Sequence, residues 1–321
     1  MTPETVRDTC DAIVAQAGRV VLGQDEVIEQ LLIAILAKGH VLLEGPPGLG
    51  KTLLIRTLSR VLGCESARIQ FTPDLMPSDI TGGNVYEADK KAFVFHPGPI
   101  FTGLLLADEI NRSPAKTQAA LLEAMQDRTV TADGVTRPLP KPFFVLATQN
   151  PIESQGTYPL PEAQLDRFLL KIDVTYPERE SELAILTNHV EGFDASNLDA
   201  AGIEQVTTHE ELLEMQRAVG QVRVDAELLD YMLEVVRQTR SHRSVDVGAS
   251  TRASVAMLGV ARARALTMGR DFVIPDDIKD LAHPTLRHRL VLHPDAEFEG
   301  TTGDDCVTAV LNAVEVPKTH T

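Results

Sequence analysis

The sequence predicts an α/β fold in which helices cover both faces of a parallel sheet, followed by an all-helical domain. Up to Tyr176–Pro177, short apolar strands alternate with helical stretches, which is the pattern of a parallel sheet with covered faces. Beyond that point, amphipathic helices follow one another and no strand pattern is found. We therefore expect a core domain at residues 1–177 and a helical domain at residues 178–321.

Composition and charge argue against several classes of protein before any motif is considered. The 321-residue chain carries a net charge of −16, so attraction to nucleic-acid backbones or anionic membranes is not expected. It has no tryptophan and few aromatic residues, which disfavours a stacking platform for single-stranded nucleic acid. The sequence lacks a long apolar run and a signal pattern, and its three widely spaced cysteines suit a reducing compartment. We expect a cytoplasmic protein that binds no nucleic acid and does not insert into membranes.

A glycine-rich loop is the clearest functional motif. The segment Gly45–Thr52 fits the phosphate-binding pattern G-x-x-x-x-G-K-[ST], between a short apolar strand and a helix. A triphosphate needs many N–H donors at close range, so the loop must be nearly free of Cβ atoms. Lys51 is expected to reach the β- and γ-phosphates, and Thr52 to hold Mg²⁺. The nucleotide-binding residues predicted here are Gly45, Pro46, Pro47, Gly48, Leu49, Gly50, Lys51 and Thr52.

Two helical patterns precede this loop. The first begins at Thr2–Pro3, and the second carries Val27, Leu31 and Ile35 on one face. Between them lies Val20–Gln24, an apolar stretch just upstream of the phosphate loop. Either this segment covers an adenine base or its helix is an ordinary packing element, and the residues alone favour neither.

A projecting insertion is predicted after the second strand, which spans Ala67–Phe71. A short irregular helix lies between prolines, and Gly82–Gly83 then opens a hairpin with strands Asn84–Glu87 and Ala92–Phe95. Because a lone hairpin is marginal in water, one face of it must pack on something else.

The expected packing of this hairpin follows from its apolar residues. Val85, Phe93 and Phe95 alternate with polar residues, as in a ribbon with one apolar face. We expect Phe93 and Phe95 to pack on their own domain. The turn Asp89–Lys91 has no such need and should be exposed, where it could contact a partner.

An acidic pair ends the next buried strand. Leu104–Ala107 is apolar and runs directly into Asp108 and Glu109. Asp108 is expected to orient Mg²⁺, and Glu109 to act as general base on the attacking water. An acidic residue at the end of a strand is a weak signal by itself, because many strands end in an acid. The phosphate loop upstream makes the functional interpretation of this pair strong. The helix that begins at Pro114 carries apolar residues expected in the core.

A second hairpin and a further strand complete the predicted core. Arg128–Arg137 has Asp-Gly at its turn, a strong hairpin signal. The strand Phe143–Thr148 then delivers Asn150 to the carboxyl edge of the sheet, where α/β proteins place their chemistry. We expect Asn150 to hold the attacking water or the γ-phosphate, and the alternative is a simple turn before Pro151.

The helical domain is predicted as a series of amphipathic helices. Their expected ranges are 178–190, 209–220, 225–241, 251–267 and 275–289. The segment Thr302–Asp305 has the form of a capping box for a last helix.

Four stretches of the sequence together resemble the MoxR-type AAA+ ATPases. They are GPPGLGKT, LLLADEINRSPAKTQAALLEAMQDRTV, FFVLATQNPIESQGTYPLPEAQLDRF and GASTRASVAMLGVARARAL, in the order expected for the family. The likeness runs from Gly23 to about Val291. It implies an αβα P-loop NTPase core with strand order 5-1-4-3-2, a helix-2 insert at 84–95, a pre-sensor-1 hairpin at 128–138 and an all-α lid.

The resemblance also implies individual roles. Asn150 is similar to sensor 1, Arg167 to the arginine finger that reaches a neighbouring subunit's γ-phosphate, and Arg252 to sensor 2. The family more often has proline where Thr251 stands, a departure that affects the helix start and leaves Arg252 in place. The expected catalytic set is Lys51, Glu109, Asn150, Arg167 and Arg252, with Thr52 and Asp108 as metal ligands.

The resemblance implies a chaperone-like ATPase that converts ATP to ADP and phosphate with Mg²⁺. Its subunits form a ring, a hexamer by the family's pattern, so that ATP lies between the two domains of one subunit and Arg167 arrives from the next. By the same resemblance, the ring is expected to remodel or activate a protein client. Members of the family often occur beside proteins that carry a von Willebrand factor type A domain, and such proteins are candidate clients.

Two other classes of function fit the sequence less well. A DNA motor needs cations at its hairpin tips, where this chain has Ala132–Gly134 and the mixed turn Asp89–Lys91. The intact set of Lys51, Asp108 and Glu109 argues against a nucleotide-gated scaffold with little turnover. A steady-state phosphate-release assay separates the scaffold from the ATPase.

Overall fold

The computed structural model describes residues 1–150, 157–195 and 197–317, and its centre is a five-stranded sheet. The strands are β1 (Val41–Glu44), β2 (Ser66–Gln70), β3 (Gly82–Glu87), β4 (Ala92–Pro97), β5 (Leu104–Asp108), β6 (Thr129–Ala132), β7 (Val135–Pro138), β8 (Phe144–Gln149), β9 (Leu170–Asp173), β10 (Val245–Val247) and β11 (Val291–Leu292). The central sheet runs β2–β5–β8–β1–β9, and all its pairs are parallel. Numbered along the chain, its strands have the order 5-1-4-3-2, so the predicted fold class is confirmed.

Helices cover the sheet and make up most of the C-terminal part. They are α1 (Pro3–Gly18), α2 (Asp25–Leu36), α3 (Lys51–Val61), α4 (Pro77–Thr81), α5 (Ala115–Asp127), α6 (Glu162–Leu165), α7 (Arg179–Val190), α8 (His209–Val219), α9 (Ala226–Thr239), α10 (Thr251–Thr267), α11 (Pro275–Leu286), α12 (Pro294–Phe298) and α13 (Gly303–Ala313). Two 3₁₀ turns lie at Ile110–Arg112 and Arg287–Arg289. The capping box at Thr302 is confirmed, because Thr302 and Asp305 exchange both hydrogen bonds. In the part of the chain that the structure describes, no helix has the length and apolar character needed to cross a bilayer.

Both faces of the sheet are buried at its three inner strands, β5, β8 and β1, which explains why these strands are almost continuously apolar. Leu43 and Leu106 contribute to one core, formed with α1, α2, α3 and the C-terminal helices. Leu42 and Leu105 alternate with them and contribute to a second core, formed with α4 and α5. Because all pairs are parallel, the carboxyl ends of the five strands lie at one edge of the sheet. The candidate site is at this edge.

The C-terminal part is helical as predicted, with one addition. β10 and β11 pair as a short antiparallel sheet that the periodicity of the sequence did not indicate. The helices α1 and α2 contact α10, and Leu31 and Val260 belong to one apolar cluster. Because that cluster includes residues on both sides of residue 177, a domain boundary at 177/178 stays a prediction.

The insertion is a two-stranded ribbon formed by β3 and β4, two residues longer at its base than predicted on either strand. Tyr86 pairs with Phe93, and Val85 pairs with Val94. Directly opposite residues share a face of a ribbon. The expectation that Val85, Phe93 and Phe95 share one apolar face is therefore wrong, since Val85 lies on the other face.

The two phenylalanines of this ribbon differ in their packing. Phe95 lies edge-on to Phe101, with ring centroids 5.8 Å apart, and the Arg137 guanidinium stacks 3.6 Å from its centroid. Phe93 is 72% exposed and touches Tyr86 edge-on. Packing on the parent domain is thus confirmed for Phe95 and wrong for Phe93. The turn Asp89–Lys91 is exposed, as expected.

The second hairpin, β6 and β7, has the predicted Asp-Gly turn. Asp133 and Gly134 both have positive φ, at 51° and 76°, which is the requirement of a type I′ turn. The Asp133 carboxylate accepts a hydrogen bond from the Asn84 backbone N–H at 3.1 Å. The tip of the second hairpin is therefore attached to the insertion.

Candidate functional site

The phosphate loop connects β1 to α3 and depends on its glycines for two different reasons. Gly48 and Gly50 have left-handed backbones, with φ of +87° and +71°, and a Cβ on either would meet open space. A Cβ on Gly45 would lie 2.5 Å from the Val174 carbonyl oxygen. The loop is thus pressed against the end of β9 at Gly45, and it is open to a ligand above Gly48 and Gly50.

Lys51 is the first residue of α3, and its side chain turns back onto the loop. Its Nζ donates to the Gly45 carbonyl oxygen at 2.8 Å. Partial burial lowers the pKa of Lys51, and the carboxylates of Asp108 and Glu109 are the main charges that oppose this shift. The ammonium group therefore lies within electrostatic reach of the acidic pair after β5, as a shared phosphate site requires.

Asp108 ends β5 and is held by two donors. The Thr148 hydroxyl donates to Oδ1 at 2.6 Å, and the Arg68 guanidinium donates to Oδ2 at 2.7 Å. Thr148 is buried on β8, and Arg68 lies on β2, so the two donors come from the strands on either side of β5. The carboxylate is oriented at the carboxyl edge of the sheet and remains partly exposed.

Glu109 follows Asp108 in an uncommon backbone conformation, with φ of +57°. Its N–H donates to the Thr148 hydroxyl at 2.9 Å, so Thr148 supports both acids at once. The Glu109 Oε2 accepts hydrogen bonds from Gln70 Nε2 at 2.7 Å and from Arg112 Nη1 at 2.9 Å. Donors on β2 and on the 3₁₀ turn thus hold this carboxylate in one position.

Four residues of this network were not predicted from the sequence. They are Arg68, Gln70, Arg112 and Thr148. The available signal was weak: Gln70 stands near the end of a predicted strand, and Thr148 stands two positions before Asn150. Arg68, Gln70 and Thr148 acquire their roles only when β2, β5 and β8 are placed side by side in register.

The remaining residues at this edge fit a magnesium ion bound together with a nucleotide. Asn150 is buried just after β8, and Thr52 is the second residue of α3. Mg²⁺ usually binds one or two carboxylates together with substrate phosphates, and Thr52 and Asp108 offer suitable oxygens. Over the described ranges, no three His, Cys, Asp or Glu side chains form a group that could hold a metal. The donor set therefore suits a metal that arrives with phosphate oxygens.

An apolar cavity of about 530 Å³ adjoins the phosphate loop, within the ordinary size range of small-ligand pockets. Its apolar lining includes Val20, Val21, Leu22, Leu53, Tyr176 and Leu186. The Gln24 side chain donates to the Leu49 carbonyl oxygen at 3.1 Å and so ties the α1–α2 connection to the loop. The sequence left two interpretations of Val20–Gln24, a cover for an adenine base and an ordinary packing element. The position of this cavity favours the first.

Arg167 and Arg252 lie elsewhere. Arg167 precedes β9, and the parallel pairing of β9 with β1 directs it towards the sheet edge opposite the phosphate loop. Arg252, in the first turn of α10, places Nη1 3.5 Å from Asp166 Oδ2. Arg252 thus lies beside the residue that precedes Arg167, whereas Lys51 follows the carboxyl end of β1 and Asp108 ends β5. Residues 151–156, part of the motif that precedes Arg167, lie outside the described residues.

Two family profiles match the chain. Residues 40–170 match the ATPase family associated with various cellular activities (AAA), and residues 237–310 match the AAA lid domain. A crystal structure of a candidate ATPase from Cytophaga hutchinsonii is 41% identical in sequence and superposes with a TM-score of 0.91, covering 98% of this chain and 97% of that one.

Three relatives are similar over nearly the whole chain. The sequence is 49% identical to the uncharacterized protein YeaC of Bacillus subtilis (strain 168), covering 95% of this chain and 93% of that protein. It is 43% identical to Chaperone MoxR1 of Mycobacterium tuberculosis (97% and 83%) and 30% identical to Protein MoxR of Methylorubrum extorquens (97% and 96%). With this similarity and the site described above, the chain belongs to the MoxR family of AAA ATPases, enzymes that hydrolyse ATP.

Proposed function

We propose that the protein forms a ring whose subunits hydrolyse ATP at their interfaces and use the energy to remodel a protein client. The main support for a ring is the position of Arg167, near the sheet edge opposite the phosphate loop of its own subunit. From there Arg167 can meet a γ-phosphate only across an interface with another subunit.

The nucleotide is bound by one subunit. Lys51 pairs with the β- and γ-phosphates, while N–H groups of the loop surround them. Thr52 and Asp108 hold Mg²⁺, which supplies positive charge against the phosphate oxygens when it is bound. The base lies in the apolar cavity beside Val20–Gln24, and its position between the loop and α7 supports this assignment.

Glu109 accepts a proton from the attacking water. Its Oε2 accepts hydrogen bonds from Gln70 and Arg112, which leaves Oε1 as the oxygen that takes the proton. Asn150, buried at the same edge, positions the water or the γ-phosphate.

Arg167 of the neighbouring subunit stabilises the charge of the transferring phosphoryl group. Such a finger contributes roughly 10³–10⁵ in rate, so assembly switches hydrolysis on. Arg252 lies beside Asp166, the residue before Arg167, and we place it on the same interface.

A mixing experiment tests the interface. Glu109→Gln subunits have an intact Arg167 and no base, whereas Arg167→Ala subunits have an intact base and no finger. Each variant alone should hydrolyse ATP slowly, and an equimolar mixture should regain part of the parental rate. A mixture that forms shared rings, verified by native mass spectrometry, and regains no activity would contradict the trans role of Arg167.

The client surface we propose is the outer part of the insertion. Tyr86 and Phe93 form an exposed aromatic pair, with 56% and 72% of their surfaces accessible. Exposed aromatic pairs of this kind favour an apolar protein surface over nucleic-acid phosphates. The turn Asp89–Lys91 forms the rim of this surface. The description of the mycobacterial relative as a chaperone supports a protein client, and proteins with a von Willebrand factor type A domain are candidates.

A further inference from the structure

We propose that Arg289 is a positioning residue for Arg167. In this view, Arg289 fixes the backbone on both sides of Arg167 to the helical part of the same subunit, and so sets the direction in which Arg167 is presented to the neighbour. The inference rests on the proposed trans role of Arg167 and adds the group that determines its position.

The Arg289 guanidinium binds residues on both sides of Arg167. Its Nε donates to Asp166 Oδ1 at 2.8 Å, and its Nη2 donates to the Phe168 carbonyl oxygen at 2.6 Å. Its Nη1 donates to the Leu169 carbonyl oxygen at 3.2 Å. The Arg289 side chain is only 3% exposed, so these contacts are made away from solvent.

This geometry requires arginine. The guanidinium offers five N–H donors in a planar fork, whereas a lysine ammonium is a point charge with three. Burial lowers the pKa of Arg289, and the hydrogen bond and charge of Asp166 offset part of that effect. A buried charge without its partner is strongly unfavourable, so Asp166 and Arg289 stay together.

Two further contacts join the same segment to the helical part. Asp166 Oδ2 accepts hydrogen bonds from the Ser250 hydroxyl at 3.3 Å and from Arg252 at 3.5 Å, at the N-terminus of α10, where a carboxylate is favoured. The buried His288 places Nε2 3.1 Å from the Phe168 carbonyl oxygen. Burial holds the pKa of His288 well below its usual range, so this imidazole is neutral and donates from Nε2.

The Arg167 side chain itself takes no part in these contacts. Its backbone N–H donates to the Gln164 carbonyl oxygen at 3.2 Å. Within residues 1–150, 157–195 and 197–317, the half-buried guanidinium of Arg167 has no hydrogen bond or ion pair. The backbone is thus held in place while the charged group is available to another chain.

The turn that carries Arg289 also reaches the nucleotide side of β9. Arg287 Nη1 lies 2.5 Å from Asp173 Oδ2, at the carboxyl end of this strand. The next residue, Val174, packs against Gly45 of the phosphate loop. One 3₁₀ turn, Arg287–Arg289, therefore holds both ends of the edge strand, with the phosphate loop at one end and Arg167 at the other.

The test uses mixed rings in which one chain supplies the finger and the other supplies the base. The finger donor carries Glu109→Gln, and the acceptor carries Arg167→Ala. Arg289→Lys is then added either to the donor or to the acceptor, and ATP hydrolysis is measured after mixing. Arg270→Lys is the matched control, because Arg270 also binds a carboxylate and a backbone carbonyl in the helical part, at Asp277 and Phe272.

The expected result is an asymmetry between the two chains. Misplacement of a catalytic group by about 1 Å can cost about 10²-fold in rate, so Arg289→Lys in the donor should lower the mixed-ring rate about 10- to 100-fold. In the acceptor, whose finger is already absent, the same change should alter the rate by less than about twofold. Arg270→Lys should have a small and equal effect on either side. A merely structural role for Arg289 cannot produce this asymmetry.

Two results would overturn the proposal. Equal losses in donor and acceptor, or no loss in the donor, would show that Arg289 does not position the finger even though the finger acts in trans. The mixture of Glu109→Gln and Arg167→Ala subunits without Arg289→Lys is the reference. If it forms shared rings and shows no activity, Arg167 does not act in trans, and the positioning role of Arg289 is refuted with it. If Arg289→Lys fails to assemble, Asp166→Asn in the donor or acceptor tests the same contact from its other side.

Discussion

Thr148 offers the sharpest test of the hydrogen-bond network around the acidic pair. The Thr148 hydroxyl donates to Asp108 and accepts from the Glu109 N–H, and only 1% of the residue is exposed. Valine has nearly the same shape, so Thr148→Val removes both hydrogen bonds without opening a cavity. Thr148→Ser keeps the hydroxyl and is the matched control.

The size of the effect follows from these two hydrogen bonds. A hydrogen bond to a charged group contributes about 1.5–3 kcal/mol, and a buried N–H left without a partner costs about 1–3 kcal/mol. Because Asp108 is partly exposed and water can replace part of the loss, we expect Thr148→Val to lower the free energy of unfolding by about 2–4 kcal/mol. Loss of orientation at both acids should also lower kcat by about 10²-fold.

Two measurements check this prediction. Urea denaturation followed by circular dichroism gives the free energy of unfolding, and a phosphate-release assay gives kcat for the assembled protein. Thr148→Ser should stay within about 1 kcal/mol of the parent, as expected when a residue loses only a methyl group. If Thr148→Val and Thr148→Ser behave alike in both measurements, the hydroxyl does not support the acids as described.

Three further predictions concern nucleotide and client. Lys51→Ala should abolish binding of a fluorescent ATP analogue, because it removes the ammonium group that we expect to pair with the β- and γ-phosphates. Glu109→Gln should bind that analogue like the parent yet lose about 10²–10⁴ in turnover, because an amide cannot act as a base; rapid turnover would exclude Glu109 as the base. Phe93→Ser, alone or with Asp89–Lys91 replaced by Gly-Ser-Gly, should keep basal ATP hydrolysis and recover less partner protein from the native cell. Unchanged recovery would move the contact to the helical part.

Local patterns were sufficient to predict the elements that carry the nucleotide site. The phosphate loop, the strand that ends in Asp108 and the Asp-Gly hairpin each depend on residues that are adjacent in sequence. The helix ranges were predictable for the same reason, since amphipathic spacing and caps such as Thr302 are local. The sheet order followed from the family resemblance, not from periodicity.

Features that depend on strand register could not be predicted in this way. The alternation within each strand of the insertion was correct, but Glu87 pairs with Ala92, which places Phe93 opposite Tyr86 and leaves Val85 on the other face. The supports of Glu109 likewise come from strands distant in sequence. A sequence pattern fixes the side-chain period of a strand, whereas the face that each residue joins depends on its partner.

Buried charges were the second feature beyond the reach of sequence patterns. Arg289 stands at the end of an amphipathic helix, where a basic residue is ordinarily solvated. Its burial arises only because Asp166 and the Phe168 carbonyl, more than a hundred positions earlier in the chain, approach it in the fold. No spacing rule connects positions that far apart.

The most direct test of the central claim is the rate of ATP hydrolysis per subunit as a function of protein concentration, measured beside the extent of assembly by analytical ultracentrifugation. The parent protein should show a rate that rises in parallel with assembly, because in the proposed ring Arg167 reaches the γ-phosphate only across an interface. Arg167→Ala should bind ATP with nearly parental affinity and assemble, yet its rate should stay low at every concentration. A parent that hydrolyses ATP at full rate as a dilute monomer would contradict the account.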